Sequence, residues 1–454
     1  MQILTNLDST ARASATCVGI KQKPQKSDNS FRPEIIVVIG QAQTGKDVTL
    51  NTPILASGDS DDAGVLFGFG SPLHRMAKKL FPKSDNGSKV DTYFMAVSAP
   101  KTGSSNVQKI TITTEDGIKK SFDGYIKLRD LPFEAAADIA GKVATIYQNN
   151  IAVDPRNTDL NSFETSYIPF SLTKGMSASE AASEINDILT EEISLPFIST
   201  VEDNVITLTS KWIGSDSKFN IELVDNNNNS INPAEYGVSF KIETVTEAAG
   251  EGTISDEALD KLDENFGVTR VVSQYSTSNV LDILKEKFEA LQNPLIAQFV
   301  VCYTSIEAPE SKTVQGTWDI KKLINFGNLR SDDNVNVQIA GDFGNLKKLK
   351  YKQRNKLLLS GFSNLIRKSD GSYRLVDLVS FYHPTGKSNP LYRYNRNITV
   401  IANITYYFLN YFNNSDEWKS VILVGEDDIT NNPAARKLSD VKAAVNMLIG
   451  QLGL

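Results

Sequence analysis

Apolar and polar positions along the chain alternate between two textures. Ile35–Ile39 is a continuous apolar run closed by Gly40. Such a run predicts a strand buried on both faces, as in a parallel sheet under helices. Tyr93–Val97, Val268–Val272, Ile296–Tyr303 and Val335–Ala340 read the same way. Helical patterns lie between them. Ser255 is placed to cap a helix carrying Leu259, Leu262 and Phe266. Asn279–Leu291 sets Val280, Leu281, Leu284, Phe288 and Leu291 on one side, and Trp318–Phe326 is helical in pattern. Short strands alternating with helices predict an α/β core, mainly a parallel sheet with helices, over 33–99 and 250–380.

The interval 100–249 has the second texture. Val107–Thr114 and Lys119–Leu128 alternate around Glu115-Asp116-Gly117, which predicts a hairpin. Phe133–Tyr147 is helical in pattern, and a second helix follows the capping box Ser177-x-x-Glu180. Strands near 197–212, 219–224 and 236–245 complete an α+β domain inserted into the core. The segments SAPKTGSSN and EAAGEGT bound it. Residues 381–454 form an α+β C-terminal region. There Tyr392–Phe412 is a long amphipathic helix, with Asn395, Thr399, Asn403, Tyr406 and Asn410 on one line and Ile398, Ile401, Phe408 and Phe412 on a broad apolar side. Val441, Ala444, Val445, Leu448, Ile449 and Leu452 repeat the pattern. Residues 1–32 read as an extended arm and linker. Their strand signal is confined to Thr16-Cys17-Val18-Gly19-Ile20-Lys21, followed by KPQKSDNSFRP. That strand either folds back on its own domain or joins a neighbour's sheet.

Candidate chemistry centres on the loop after the first strand. Gly40, Gly45 and Lys46 stand at the spacing G-x-x-x-x-G-K of a phosphate-binding loop. Asp47, however, occupies the place of the Mg²⁺-binding hydroxyl. VTLNTP then follows in place of the helix that would face the anion. A glycine turn after a core strand accounts for the same residues. Next come Asp59, Ser60, Asp61 and Asp62, placed to cap a short helix. The twelfth position from Asp59 is Gly70 rather than Glu, which breaks any calcium-loop match. Ser71 and Pro72 then open a helix, LHRMAKKL. The two histidines, His74 and His383, do not build a Ser–His–Asp triad: His74 is expected on the polar face of its helix and His383 in the turn YHPTGK. No enzymatic activity, metal or cofactor is expected.

Net charge is −7, with 47 basic and 54 acidic residues in a chain of 454. That balance argues against a protein built to bind nucleic acid. No apolar run reaches membrane-spanning length, and no signal-peptide core opens the chain. Cys17 and Cys302 are too few for a disulfide framework. Against the acidic background, Lys347, Lys348, Lys350, Lys352, Arg354 and Lys356 form a run without an acid. It reads as a solvated helix face or as a patch for an acidic partner.

The order IGQAQTG, a Pro-containing extended segment, an acidic cap, LFGFGSPLHRM and a strand YFMAV resembles the contractile-tail sheath proteins, in particular their Mu-like phage branch. Later segments, among them NKLLLSGFSNLIRKSDGSYRLVD, extend the resemblance over most of the chain. It implies a structural subunit of a virion tail, assembled in the host bacterial cytoplasm. Its partners would be neighbouring sheath subunits in a helical lattice, an inner tail tube protein, and baseplate and tail terminator proteins. It also implies that 100–249 faces outward, that 381–454 and the basic run face the tube, and that the arm around Thr16–Lys21 adds a strand to a neighbouring subunit.

Overall fold

The structure, a computed structural model, describes residues 32–56, 59–81, 91–129, 167–225, 229–231, 233–263, 266–275, 277–292, 298–303, 338–339, 350–359, 361, 364–367, 373–377, 379, 390–429 and 431–452. Thr16–Lys21, Lys347, Lys348, His383 and the expected helices at Phe133–Tyr147 and Trp318–Phe326 lie outside these residues. By its contacts the chain falls into two units, Glu34–Ile401, and Ala402–Leu454 with Met1–Pro33.

In the larger unit, β1 (Ile35–Gly40) is the centre of a five-stranded sheet. Its other strands are β2 (Pro53–Leu55), β3 (Asp91–Ala96), β11 (Arg270–Ser273) and β12 (Val301–Tyr303), in the order β12-β11-β1-β3-β2. The pairs β1–β3, β1–β11 and β11–β12 are parallel, and β2 adds an antiparallel edge. Both faces of β1 are covered, which is why its sequence is continuously apolar. Val37 and Ile39 pack with Met95, Val271, Leu281 and Leu284, under the helix Ser278–Leu291. Opposite, Phe94 meets Phe67 of α1 (Ser60–Phe67) at 6.1 Å and Phe81, just past α2 (Pro72–Leu80), at 6.4 Å. The acidic cap works locally: Asp59 accepts from the Asp61 amide, and Ser71 caps α2 with Pro72 at its first position.

Residues 104–249 lie between β3 and β11 in sequence and build two antiparallel sheets. One contains β4 (Val107–Thr114), β7 (Phe197–Glu202), β8 (Val205–Ser210) and β10 (Val238–Thr246), in the order β10-β4-β8-β7. The other is β6-β5-β9, from Phe122–Arg129 (β5), Tyr167–Leu172 (β6) and Asn220–Val224 (β9). Ile110, Ile112, Ile126, Phe170, Leu208 and Phe219 share one core with the helix Ala178–Glu191, whose capping box from Ser177 and Glu180 is complete. The hairpin expected between β4 and β5 does not form. The turn at Gly117 (φ +82°) carries the chain from one sheet to the other, with Ile118 buried on the way and its amide bonded to the Met176 carbonyl. Alternation specifies which face a residue takes, not which strand lies beside it.

The sequence pattern of Val335–Ala340 predicts a strand of the parallel sheet. Its described part, β13 (Gln338–Ile339), pairs antiparallel with β15 (Tyr373–Asp377), which also pairs with β14 (Asn364–Arg367), so β13 belongs to a separate sheet and not to the parallel one. Gly361, at φ +87°, lies between the helix Tyr351–Leu359 and β14. The long helix runs Asn395–Asn414. Its polar line does not face water at the N-terminal end: Asn395, Thr399 and Asn403 are each 3% exposed.

In the smaller unit, Asn403 accepts the Arg32 amide at 3.2 Å. Trp418 is buried edge-on against Phe412 at 5.0 Å. The helix Leu438–Leu452 buries Ala444 and Leu448, and its Gln451 accepts from the Tyr407 hydroxyl at 2.8 Å. Short strands β16 (Ile422–Leu423) and β17 (Ala435–Arg436) pair in parallel.

Candidate functional site: a loop that joins two sheet systems

The loop after β1 is where sequence offered a choice between phosphate chemistry and architecture. A phosphate cradle needs backbone N–H groups aimed at open space. Here those of Gln41, Gln43, Thr44 and Lys46 are engaged by protein. The Gln41 amide donates to Gln274 Oε1 at 2.6 Å, Gln43 to the Phe67 carbonyl at 2.8 Å, and Thr44 to the Lys211 carbonyl at 2.7 Å. The Lys46 amide closes a turn onto the Gln43 carbonyl at 3.0 Å. Gly45 takes φ +80° with nothing within 4 Å of where a Cβ would lie, and Lys46 is exposed. After Lys46 the chain forms a bridge from Leu50 to Ala96 and then edge strand β2, so no helix N-terminus faces the loop. Gly40 has a packing role: a Cβ there would lie 2.8 Å from Met76 Cε and 3.0 Å from Gln274 Oε1. The resemblance to a nucleotide loop is therefore one of spacing alone.

What the loop does touch is the segment 211–213, which follows β8 of the four-stranded sheet. Gln41 is 2% exposed. Its Nε2 donates to the Ile213 carbonyl at 2.6 Å, and its Oε1 accepts from the Ile213 amide at 3.4 Å. Gln274, just after β11, donates on to Asp216 at 2.5 Å. Arg75 of α2 stacks over the Trp212 ring at 5.2 Å.

The centre of the contact is Lys211, 7% exposed. Its ammonium donates to the Phe69 carbonyl at 2.7 Å and the Ile193 carbonyl at 2.8 Å. Burial brings its pKa down to about 8. Glu192 opposes that shift and Lys78 adds to it. Gly70 (φ +77°) permits the approach, since a Cβ there would lie 2.0 Å from the Leu195 carbonyl oxygen. His74, expected on a polar face, is fully buried instead. Its Nδ1 accepts the Gly70 amide at 2.9 Å, and its ring stands edge-on to Phe69 at 5.1 Å. It fixes a turn. Lys211, Gln41 and Gln274 carried no motif in the sequence. The one signal for Lys211 was a lysine directly after an alternating strand and before a tryptophan.

Of the basic run, Lys350, Lys352, Arg354 and Lys356 are described. The helix Tyr351–Leu359 buries no residue, and Tyr351 is 74% exposed. Lys350 and Arg354 form one i, i+4 line and Lys352 and Lys356 another, so charge encircles the helix instead of marking one stripe. Among the described residues no His/Cys/Asp/Glu group is arranged to hold a metal ion, and no helix is long and apolar enough to cross a membrane.

No protein-family model and no curated protein matches the chain. Solved structures of sheath tail proteins align with it. One, from Desulfitobacterium hafniense, aligns at a TM-score of 0.39 and 12% identity over 88% of this chain and 83% of that one. Another, from Listeria innocua, aligns at 0.38 and 9% over 84% and 78%.

Proposed function

We propose that this chain is the structural subunit of a contractile tail sheath, polymerising helically around an inner tail tube and contracting to drive the tube through a target cell envelope. One observation carries the reading. In the stretch bearing the family resemblance, Ile39–Val97, the amides of Gln41, Gln43, Thr44 and Lys46 are bonded to protein and His74 fixes a turn. Its motifs serve architecture, as a subunit that works by assembly requires. In this reading the arm around Thr16–Lys21 joins a neighbouring subunit's sheet, the segment 100–249 faces outward, and the basic helix with the C-terminal region faces the tube. Baseplate and tail terminator proteins would bound the polymer. Contraction would draw its energy from different subunit contacts in two lattice states. Negative-stain electron microscopy of the purified protein tests the proposal. Hollow helical tubes are expected, and a monodisperse monomer under all assembly conditions overturns it.

A further inference from the structure

The five-stranded sheet is connected to the two antiparallel sheets by two chain passages that lie backbone to backbone. Ser104 and Ala249 exchange hydrogen bonds at 2.9 and 3.2 Å, and the Ser104 hydroxyl donates to the Glu247 carbonyl at 2.7 Å. Beside them are glycines: a Cβ on Gly103 would meet the Ala249 carbonyl oxygen at 2.6 Å, and one on Gly250 (φ +104°) would meet the Thr102 carbonyl oxygen at 2.6 Å. A narrow, glycine-flanked pair of strands is by itself a hinge, because few side chains resist a change of φ and ψ there.

The loop contacts cancel that freedom. Gln41 and Thr44 reach Ile213 and Lys211, the Lys211 ammonium reaches Phe69, Arg75 covers Trp212, and Gln274 holds Asp216. These attachments come from three separate parts of the parallel-sheet layer: the loop after β1, the α1–α2 turn with α2, and the residue after β11. They converge on the segment 211–216. Three separate attachments restrain orientation as well as position. Lys211, Gln41, Gln274, Arg75 and Trp212 are buried, so parting the two sides would break these hydrogen bonds and the ring contact together, and that combined loss holds the joint closed.

We propose that the parallel-sheet layer and the two antiparallel sheets move as one rigid body, with Lys211 and the Gln41–Thr44 loop locking a glycine crossing that would otherwise hinge. The lock is a positioning device. It transmits displacement of one sheet system to the other without a change of angle.

The test uses the full chain with spin labels at Asp62→Cys on α1 and Glu202→Cys at the end of β7, both exposed positions, in a Cys17→Ser, Cys302→Ala background. Pulsed dipolar spectroscopy is expected to give one narrow distance distribution. Adding Lys211→Met and Gln41→Ala should broaden it. Hydrogen exchange should show about tenfold faster exchange at the Thr44 and Ile213 amides while β4 and β8 stay protected. A broad distribution without the lock substitutions overturns the proposal, whether or not the substituted chain folds. So does a distribution that stays narrow after the lock is removed from a chain that folds.

Discussion

Arg270 and Glu34 face each other at 3.7 Å inside the protein, with side chains 3% and 8% exposed, where β11 and β1 begin side by side. Thr269 donates to the same Glu34 carboxylate, and Arg270 donates to Thr399 at 2.9 Å, which brings a polar residue of the long helix to the sheet. A buried pair contributes little net stability against an apolar replacement of both partners, but removing one leaves a charge unpartnered. Arg270→Met is therefore expected to lower unfolding free energy by about 3–5 kcal/mol. The double variant Arg270→Met, Glu34→Leu should recover part of that loss. Denaturant titration of the three proteins checks both statements, and an additive double variant would show that the pair is not coupled.

Lys211 gives stability a distinctive pH dependence. Its folded pKa, about 8, lies below the ordinary lysine value of 10.5. Between those values the unfolded chain binds more protons than the folded one, so stability rises with pH across that window. The increment is fully present above pH 10.5 and is lost as pH falls through about 8. Its size should be about 3 kcal/mol, and Lys211→Met should remove it. Urea melts of both proteins from pH 7 to 10.5 measure the difference. Parallel curves for the two would contradict the assignment.

Gly45 of the phosphate-like spacing should separate from Gly70 beside Lys211. Gly70→Ala drives a Cβ into the Leu195 backbone, where no side chain can yield, and is expected to cost more than about 3 kcal/mol. Gly45→Ala meets open space and should cost about 1 kcal/mol, from its positive φ alone. Lys46→Ala should leave the melting temperature unchanged. Calorimetry with Mg-ATP and Mg-GTP should register no heat for the unsubstituted protein. Micromolar binding abolished by Lys46→Ala would overturn the architectural reading of this loop.

Deleting residues 1–24 is expected to leave a folded monomer that forms no tubes, seen by circular dichroism and electron microscopy. Tubes at the full-length yield would show that the arm is not the link between subunits. Loss of folding would show that its strand belongs to its own domain.

Reversing Lys350, Lys352 and Arg354 to Glu should weaken co-assembly with tube protein, most clearly at low salt where exposed charges are least screened. Co-sedimentation across a salt series measures it. Unchanged assembly at low salt would mean that these residues only keep the helix hydrated.

The parallel sheet was legible because burial on both faces writes itself as unbroken apolar runs, as at Ile35–Ile39. The caps at Asp59, Ser71, Ser177 and Ser255 were legible because capping is local. Partner choice was not. β4 and β5 read as a hairpin but part company at Gly117, and β13 carries a core-like pattern yet sits in another sheet. Those outcomes depend on residues far along the chain. His74 misled for another reason: a polar side chain is buried where a donor meets it, and its place in the helix does not announce the Gly70 amide. Lys211 was missed altogether, since its two carbonyl partners are supplied by backbone.

The meeting of Ser104 with Ala249 also bears on how quickly the protein acquires its fold. β1 pairs with β11 across a separation of about 234 residues, a demanding closure for an unfolded chain. If the antiparallel sheets form first, their ends already touch, and the effective loop shrinks to roughly 90 residues. The chain-entropy cost of joining β1 to β11 then falls by about 1 kcal/mol. On a ribosome, the first strand would wait, with β3 beside it, until the finished intermediate segment delivers β11 to its edge.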